Sequence, residues 1–280
     1  MMVAAVGCFS LMDAAMKHLG EHHGPMQVAF LRGLASLPIV MLVLGVAGKL
    51  KEIRPVRWPL HLLRGLLSVA LLWSFVFSVG VLSLADSYSI YLSAPLLITA
   101  LSVPLLGEHV SGRRWLAIGA GMVGVIVMLR PTAASVVTLG GLAAFMAAVF
   151  YALSAISINI LSRTDTTASM VFWTMAVVAG AAGLLSVPTW TPVLLGDGWW
   201  ILGLGITGAA GQHFITQAFR LAPASVVAPF EYTALLWGIA LDWYLWDVLP
   251  GSRMLAGGSL VVISGLYLMW QSRQSAAPAH

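Results

Sequence analysis

Residues 112–119 read Gly-Arg-Arg-Trp-Leu-Ala-Ile-Gly, and residues 251–258 read Gly-Ser-Arg-Met-Leu-Ala-Gly-Gly. Both fit Gly-x-Arg-x-Leu-x-x-Gly, both open an apolar stretch, and both follow an apolar segment that closes on an acid, Glu108 and Asp247. A chain that repeats itself at this distance is read as two copies of one unit. Each copy holds room for five membrane-crossing segments. An odd number of crossings flips the second copy relative to the first, and such inverted repeats recur in secondary transporters, whose substrate site lies between the halves near the bilayer midplane.

Composition agrees with a membrane solvent. The 280 residues are 60% hydrophobic and 9% charged, with a mean hydropathy of +0.94. A soluble domain carries about 25% charged residues. The net charge of +4 sits at the ends of apolar segments. No basic amphipathic face is left for nucleic acid, and none is expected as a partner. The single cysteine, Cys8, excludes an internal disulfide and leaves no cysteine set for a metal. No cofactor is expected, and no cleavable leader is read at the N-terminus.

Ten spans follow at the length needed to cross about 30 Å of hydrocarbon: 2–19, 26–47, 59–81, 86–106, 113–130, 137–161, 168–188, 198–219, 224–246 and 252–271. The breaks carry turn chemistry at Gly24-Pro25, Arg57-Trp58-Pro59, Arg130-Pro131, Pro188, Pro192, Gly196-Asp197-Gly198 and Pro250-Gly251. The repeats are drawn at 1–131 and 132–271, with 272–280 a polar, disordered tail. With the N-terminus inside, ten basic residues fall to the cytoplasmic side: Lys49, Lys51, Arg54, Arg57, Arg64, Arg113, Arg114, Arg163, Arg220 and Arg273. Lys17, Arg130 and Arg253 fall to the other side, and Arg32 lies within a span. Positive-inside bias therefore puts both termini in the cytoplasm.

Small residues at four-residue spacing mark helix-packing faces: Ala144, Ala148 and Ala152; Ala117 and Gly121; Gly205 and Ala209. Ionisable groups inside spans cost about 2.5–3.5 kcal/mol each, so each is a candidate for function. Asp13 and Lys17 stand four apart, in the order that favours a same-face ion pair, with Lys17 near the interface. Arg32 is either structural or a contact for a substrate carboxylate. Glu231 lies in Ala228-Pro229-Phe230-Glu231-Tyr232-Thr233, where Pro229 removes a backbone donor and opens the helix. A carboxyl there suits an ammonium group or a proton; the alternative is a plain interhelical hydrogen bond.

Further polar patches are Gln212, His213, Thr216 and Gln217 on the eighth span, and Tyr151, Ser154 and Asn159 on the sixth. The fourth span offers Ser87, Tyr88, Tyr91, Ser93 and Pro95. His213 and Glu231 are the candidates for proton coupling. Among eleven Trp, those at 58, 115, 190, 199, 200 and 270 fall near span ends as interfacial anchors. Trp73, Trp173 and Trp237 fall deeper, as cavity walls or lipid-facing packing. The candidate cavity set is therefore Trp73, Tyr88, Tyr91, Tyr151, Asn159, Trp173, Gln212, His213, Gln217, Glu231, Tyr232 and Trp237.

Leu84-Ala85-Asp86-Ser87 through Pro95, then Leu106-Gly107-Glu108 and Trp115-Leu116-x-x-Gly119, resembles the end of an EamA domain. Ala222-Pro223-Ala224-Ser225 through Pro229-Phe230-Glu231-Tyr232 is similar to it in the second half. Two such halves resemble the drug/metabolite transporter superfamily. The resemblance implies an all-α fold of ten transmembrane helices in two inverted five-helix repeats and a central cavity. It implies alternating access in a multi-pass protein of the bacterial inner membrane. Asp247 departs from the family's Gly-Glu ending. Members export amino acids, aromatic ones among them, or carry nucleotide sugars, cofactors or S-adenosylmethionine. Amino-acid export is the leading expectation; uptake of S-adenosylmethionine or another cofactor or drug-like solute is the alternative. No phosphate-binding loop, His-Glu-x-x-His or Gly-x-Ser-x-Gly occurs, which argues against ATP hydrolysis and against an intramembrane enzyme. Nor is a charged ring or filter segment of a channel visible. A monomer or weak homodimer is expected.

Overall fold

The computed structural model describes residues 1–82, 84–129, 138–246, 251–252, 255–260, 262–264 and 266–267, and every described element is helical. Arg130, Asp247, Arg253, Trp270, Arg273 and the tail 272–280 lie outside the described residues, as does the side chain of Lys17.

The helices are α1 (Met2–Leu19), α2 (Pro25–Val46), α3 (Trp58–Val81), α4 (Leu84–Tyr91), α5 (Ala94–Leu106), α6 (Gly112–Leu129), α7 (Leu139–Leu161), α8 (Thr167–Ser186), α9 (Gly198–Leu221), α10 (Ala224–Val227) and α11 (Thr233–Trp246). A final helix, α12, runs over Leu255–Ser264. Pro25–Val46, Trp58–Ser78, Leu139–Leu161, Thr167–Thr189 and Ala224–Leu241 are long and apolar enough to cross a bilayer. The starts follow the turn residues: Gly24 is the extended N-cap of α2, with Pro25 at its first position. Thr166 caps α8 by accepting the Ser169 N–H.

Two spans read as continuous are broken. The fourth divides into α4 and α5 around Leu92-Ser93, just before Ala94-Pro95. The ninth is α10, a tight 3-10 stretch at Ala228–Tyr232, then α11. Both breaks fall at an Ala-Pro pair, because proline cannot donate to the preceding turn.

The helices form two compact units, residues 1–70 with 157–221, and 71–156 with 222–280. In the first, α2 packs on α8 and α9, and α1 on α9. Glycine makes the approach possible. A Cβ on Gly33 would stand 2.6 Å from the Ala179 Cβ, and one on Gly205 2.7 Å from the Ala35 Cβ. Leaving small residues at such faces is how helices associate in lipid, where apolar burial supplies no driving force.

Polar ties close this unit at two places. His23 Nε2 lies 3.0 Å from Asp197 Oδ2, and Gln27 accepts the Thr191 N–H at 2.9 Å. His61 Nε2 lies 2.9 Å from Asp165 Oδ1, with both side chains wholly buried. The first tie joins the α1–α2 and α8–α9 connections; the second joins the start of α3 to the α7–α8 connection. Each pair of connections shares a membrane face in a ten-span topology.

Arg64 corrects one assignment. Its position in the sequence groups it with the basic residues of the cytoplasmic connections, yet it sits inside α3 and is 1% exposed. It donates to the Met170 carbonyl at 3.2 Å and the Thr216 hydroxyl at 3.3 Å. Part of the polar face of the eighth span thus holds a buried guanidinium. Arg220 lies in the last turn of α9 and donates to Thr167. Arg32 lies over the Phe9 ring at 5.6 Å and, among the described residues, is a cation that acts on Asp13.

In the second unit, α5 packs on the 3-10 stretch and α10, and α4 on α6. Gly107 ends α5 with φ +71°, a conformation natural to glycine. The turn it makes aims Glu108 at the start of the ninth span. There its two carboxylate oxygens accept the Ala224 N–H at 2.7 Å and the Ser225 N–H at 3.1 Å. The Gly107-Glu108 pair is therefore a cap for a helix start that would otherwise leave orphan donors.

Candidate functional site

The second unit gathers one carboxyl and four aromatic rings. The tight turn that follows Pro229 carries Glu231, which is 7% exposed. Its Oε1 accepts the Tyr151 hydroxyl of α7 at 3.0 Å. The Tyr151 ring lies 5.9 Å from that of Tyr91, the last residue of α4. Tyr91 lies 5.2 Å from Phe75 of α3, and Phe75 meets Tyr88 edge-on at 5.1 Å. Ring separations of this size and tilt are the favoured edge and offset contacts. Both broken spans contribute: one break follows Tyr91, and the other carries the buried Glu231. The Ser93 hydroxyl at the fourth-span break is buried without a hydrogen-bond partner among the described residues.

The arrangement offers a carboxylate and several π faces in a region of low dielectric. Such a set suits a cation with an apolar body. Tyr151 engages one oxygen of the carboxyl, Oε1. Among the described residues, no cluster of three metal-ligating side chains occurs.

The remaining candidates fall elsewhere. Tyr232 is 1% exposed, packs with Leu92 and Val125, and sits where a Cβ on Gly121 would stand 2.8 Å from its ring. It is core, because adjacent residues on a tight turn face different sides. Trp173, read as a deep wall, donates its indole N–H to the Ile53 carbonyl at 3.0 Å and lies edge-on to Trp58 at 4.5 Å. It anchors the α2–α3 connection. Trp73 and Trp237 are exposed, at 53% and 37%.

Gln212, His213, Gln217 and Asn159 belong to the first unit. Gln212 is buried, His213 is exposed beside Phe214, and the Asn159 side-chain nitrogen is buried without a partner among the described residues. Phe75 was missed, and nothing separates it in sequence from the leucines and valines around it. His61 and Asp165 were missed because their partnership spans 104 residues.

Comparison with known proteins gives the same architecture. A family model described as "EamA-like transporter family" matches twice, over residues 1–130 and 138–271. A "Pseudopaline exporter CntI" of Pseudomonas aeruginosa (strain UCBPP-PA14) is 25% identical over 271 residues, covering 95% of this chain and 93% of that protein. A "Riboflavin transporter" of Vibrio cholerae is 25% identical, covering 98% and 93%. An "S-adenosylmethionine uptake transporter" of Rickettsia prowazekii is 23% identical, covering 97% and 92%. A solved crystal structure superposes with a TM-score of 0.83 over 97% of both chains at 18% identity, which speaks to the fold alone.

Proposed function

Since the chain belongs to the EamA-like transporter family, and so is a multi-pass membrane transporter of ten helices in two repeats, we propose that it exports amino acids with apolar or aromatic side chains. The observation that carries this reading is the Glu231–Tyr151 hydrogen bond with Tyr91 and Phe75 behind it. Glu231 takes the substrate ammonium, and the rings take its side chain. A cation over an aromatic face adds about 0.5–2 kcal/mol, more as water is excluded. Alternating access in the bacterial inner membrane, with both termini cytoplasmic, carries the solute. The driving force is its own gradient or protons moved through Glu231, with His213 the second candidate.

A second reading has its own support. The same carboxylate and rings suit the sulfonium of S-adenosylmethionine, and a relative of similar length is named for that uptake. One experiment separates them. Purified protein in proteoliposomes is offered radiolabelled amino acids and S-adenosylmethionine, with and without a pH gradient. Movement of aromatic or aliphatic amino acids supports export; movement of S-adenosylmethionine alone replaces it. Glu231→Gln should lower apparent affinity for the transported cation about 10–150-fold, the range of one hydrogen bond to a charged group. Unchanged transport and pH dependence would reduce Glu231 to packing.

A further inference from the structure

Away from the carboxyl and its rings, the second unit carries a groove of about 410 Å³ along α6 and α12. Its walls are Leu116, Leu260 and Ile263, and its floor is kept low by Ala117 and Ala120. Arg113 lines it from the first turn of α6, and Tyr267 from just beyond α12. Arg113 is exposed, and no hydrogen bond or ion pair engages its side chain among the described residues. Its neighbour Arg114 is already committed to the Ser225 hydroxyl at 3.2 Å.

We propose that this groove is a binding site for one anionic phospholipid, its phosphate on Arg113 and an acyl chain along Leu116, Ala120, Leu260 and Ile263. Three observations favour that occupant. The walls are apolar and the floor is small, so a flexible chain fits where a flat lipid contact would not. Among the described lining residues the one charge is that of Arg113, whose sign matches a phosphate. The α5–α6 connection belongs to the face that collects the basic loops, the face whose leaflet carries anionic lipid. Basic pockets between helices on that side are suited to anionic headgroups. A second copy of the chain is the competing occupant. A twofold contact here would bring two Arg113 side chains into one interface, and no acid among the lining residues offsets them.

The test is native mass spectrometry of the full chain in detergent, titrated with phosphatidylglycerol or phosphatidylcholine. The wild type should retain phosphatidylglycerol preferentially. Arg113→Gln should weaken phosphatidylglycerol binding about fivefold, the effect of one basic side chain at an anionic surface, and erase the preference. Arg113→Lys should keep most of it, as should Arg163→Gln on another exposed loop. Ala120→Phe, which fills the floor, should weaken both lipids. Equal retention of the two lipids by the wild type overturns the proposal, and so does a preference that survives Arg113→Gln. A dimer that Arg113→Gln or Ala120→Phe dissociates, with no lipid dependence, also overturns it and assigns the groove to a second copy.

Discussion

Asp165→Asn is the sharpest perturbation of the first compact unit. The Asp165 carboxylate sits on the connection between α7 and α8 and accepts three bonds: the Val56 N–H at 2.7 Å, His61 Nε2 at 2.9 Å and the Thr164 hydroxyl at 2.8 Å. Neither side chain of the His61–Asp165 pair reaches solvent. Asparagine keeps the shape but removes the charge and turns one acceptor into a donor. Breaking a buried pair by altering one partner costs about 3–5 kcal/mol, because the other is left desolvated. For a domain of this size about 1 kcal/mol moves Tm by 2–4 °C, so the variant should melt roughly 6–20 °C lower.

Tryptophan fluorescence during a thermal ramp in detergent reads this directly. The pH dependence adds a second check. Burial pushes the Asp165 carboxyl up, but the His61 bond, the Val56 amide and the Thr164 hydroxyl together hold it below its ordinary 3.8. A carboxyl depressed in the folded state contributes stability that is complete above that ordinary value and drains away as pH falls through the depressed one. The gap between wild type and Asp165→Asn should therefore be constant from pH 5 to 8 and narrow below about pH 4. A variant within about 2 °C of wild type at pH 7 would refute the assignment, as would a gap that stays full at pH 3.

Gly33→Ala should destabilise by about 1–3 kcal/mol, since its Cβ would press to 2.6 Å from the Ala179 Cβ and 3.1 Å from its Cα, and α2 must part from α8. Gly180→Ala has nothing within 4 Å and should melt like the wild type in the same fluorescence-monitored thermal ramp. Glu108→Ala leaves two N–H donors at the start of the ninth span unmet and should cost about 0.5–2 kcal/mol, read as a drop in melting temperature that Glu108→Gln partly restores. Asp197, held below its ordinary 3.8 by the His23 bond and then by the Leu194 amide, ties down the α8–α9 connection. Asp197→Asn should expose residues 187–197 to limited proteolysis at neutral pH, and the wild type should match it only when acidified below about pH 4.

Where each helix begins was legible because the punctuation is local: Gly24-Pro25 and Gly196-Asp197-Gly198 act through backbone geometry within a turn. The fourth-span break was half legible. Pro95 announced a lost hydrogen bond, but continuous hydropathy through Leu92-Ser93 concealed that the helix stops. Arg64 was misread because composition treats every arginine near a span end as a surface charge. Only packing reveals that the Met170 carbonyl and the Thr216 hydroxyl receive it.

The candidate site divides in the same manner. Tyr88 and Tyr91, three residues apart, announce a shared face, and Pro229 announces the turn that presents Glu231. Phe75 carries no mark until the rings are seen together. Tyr232 and Trp173 show the converse limit. An aromatic residue at span depth can equally fill a core or reach a loop carbonyl, and residue type does not choose between them.

The division into compact units has a consequence for synthesis. The packing faces of α1 and α2 meet α8 and α9, which the ribosome delivers much later in the chain. At 5–20 residues per second, the glycine-lined surface of α2 stands in lipid for roughly 9–35 s before residue 221 emerges. Any nascent fragment that stops earlier presents that unmatched surface to the quality-control proteases of the membrane. A split gene would have to supply both pieces at once for either to mature.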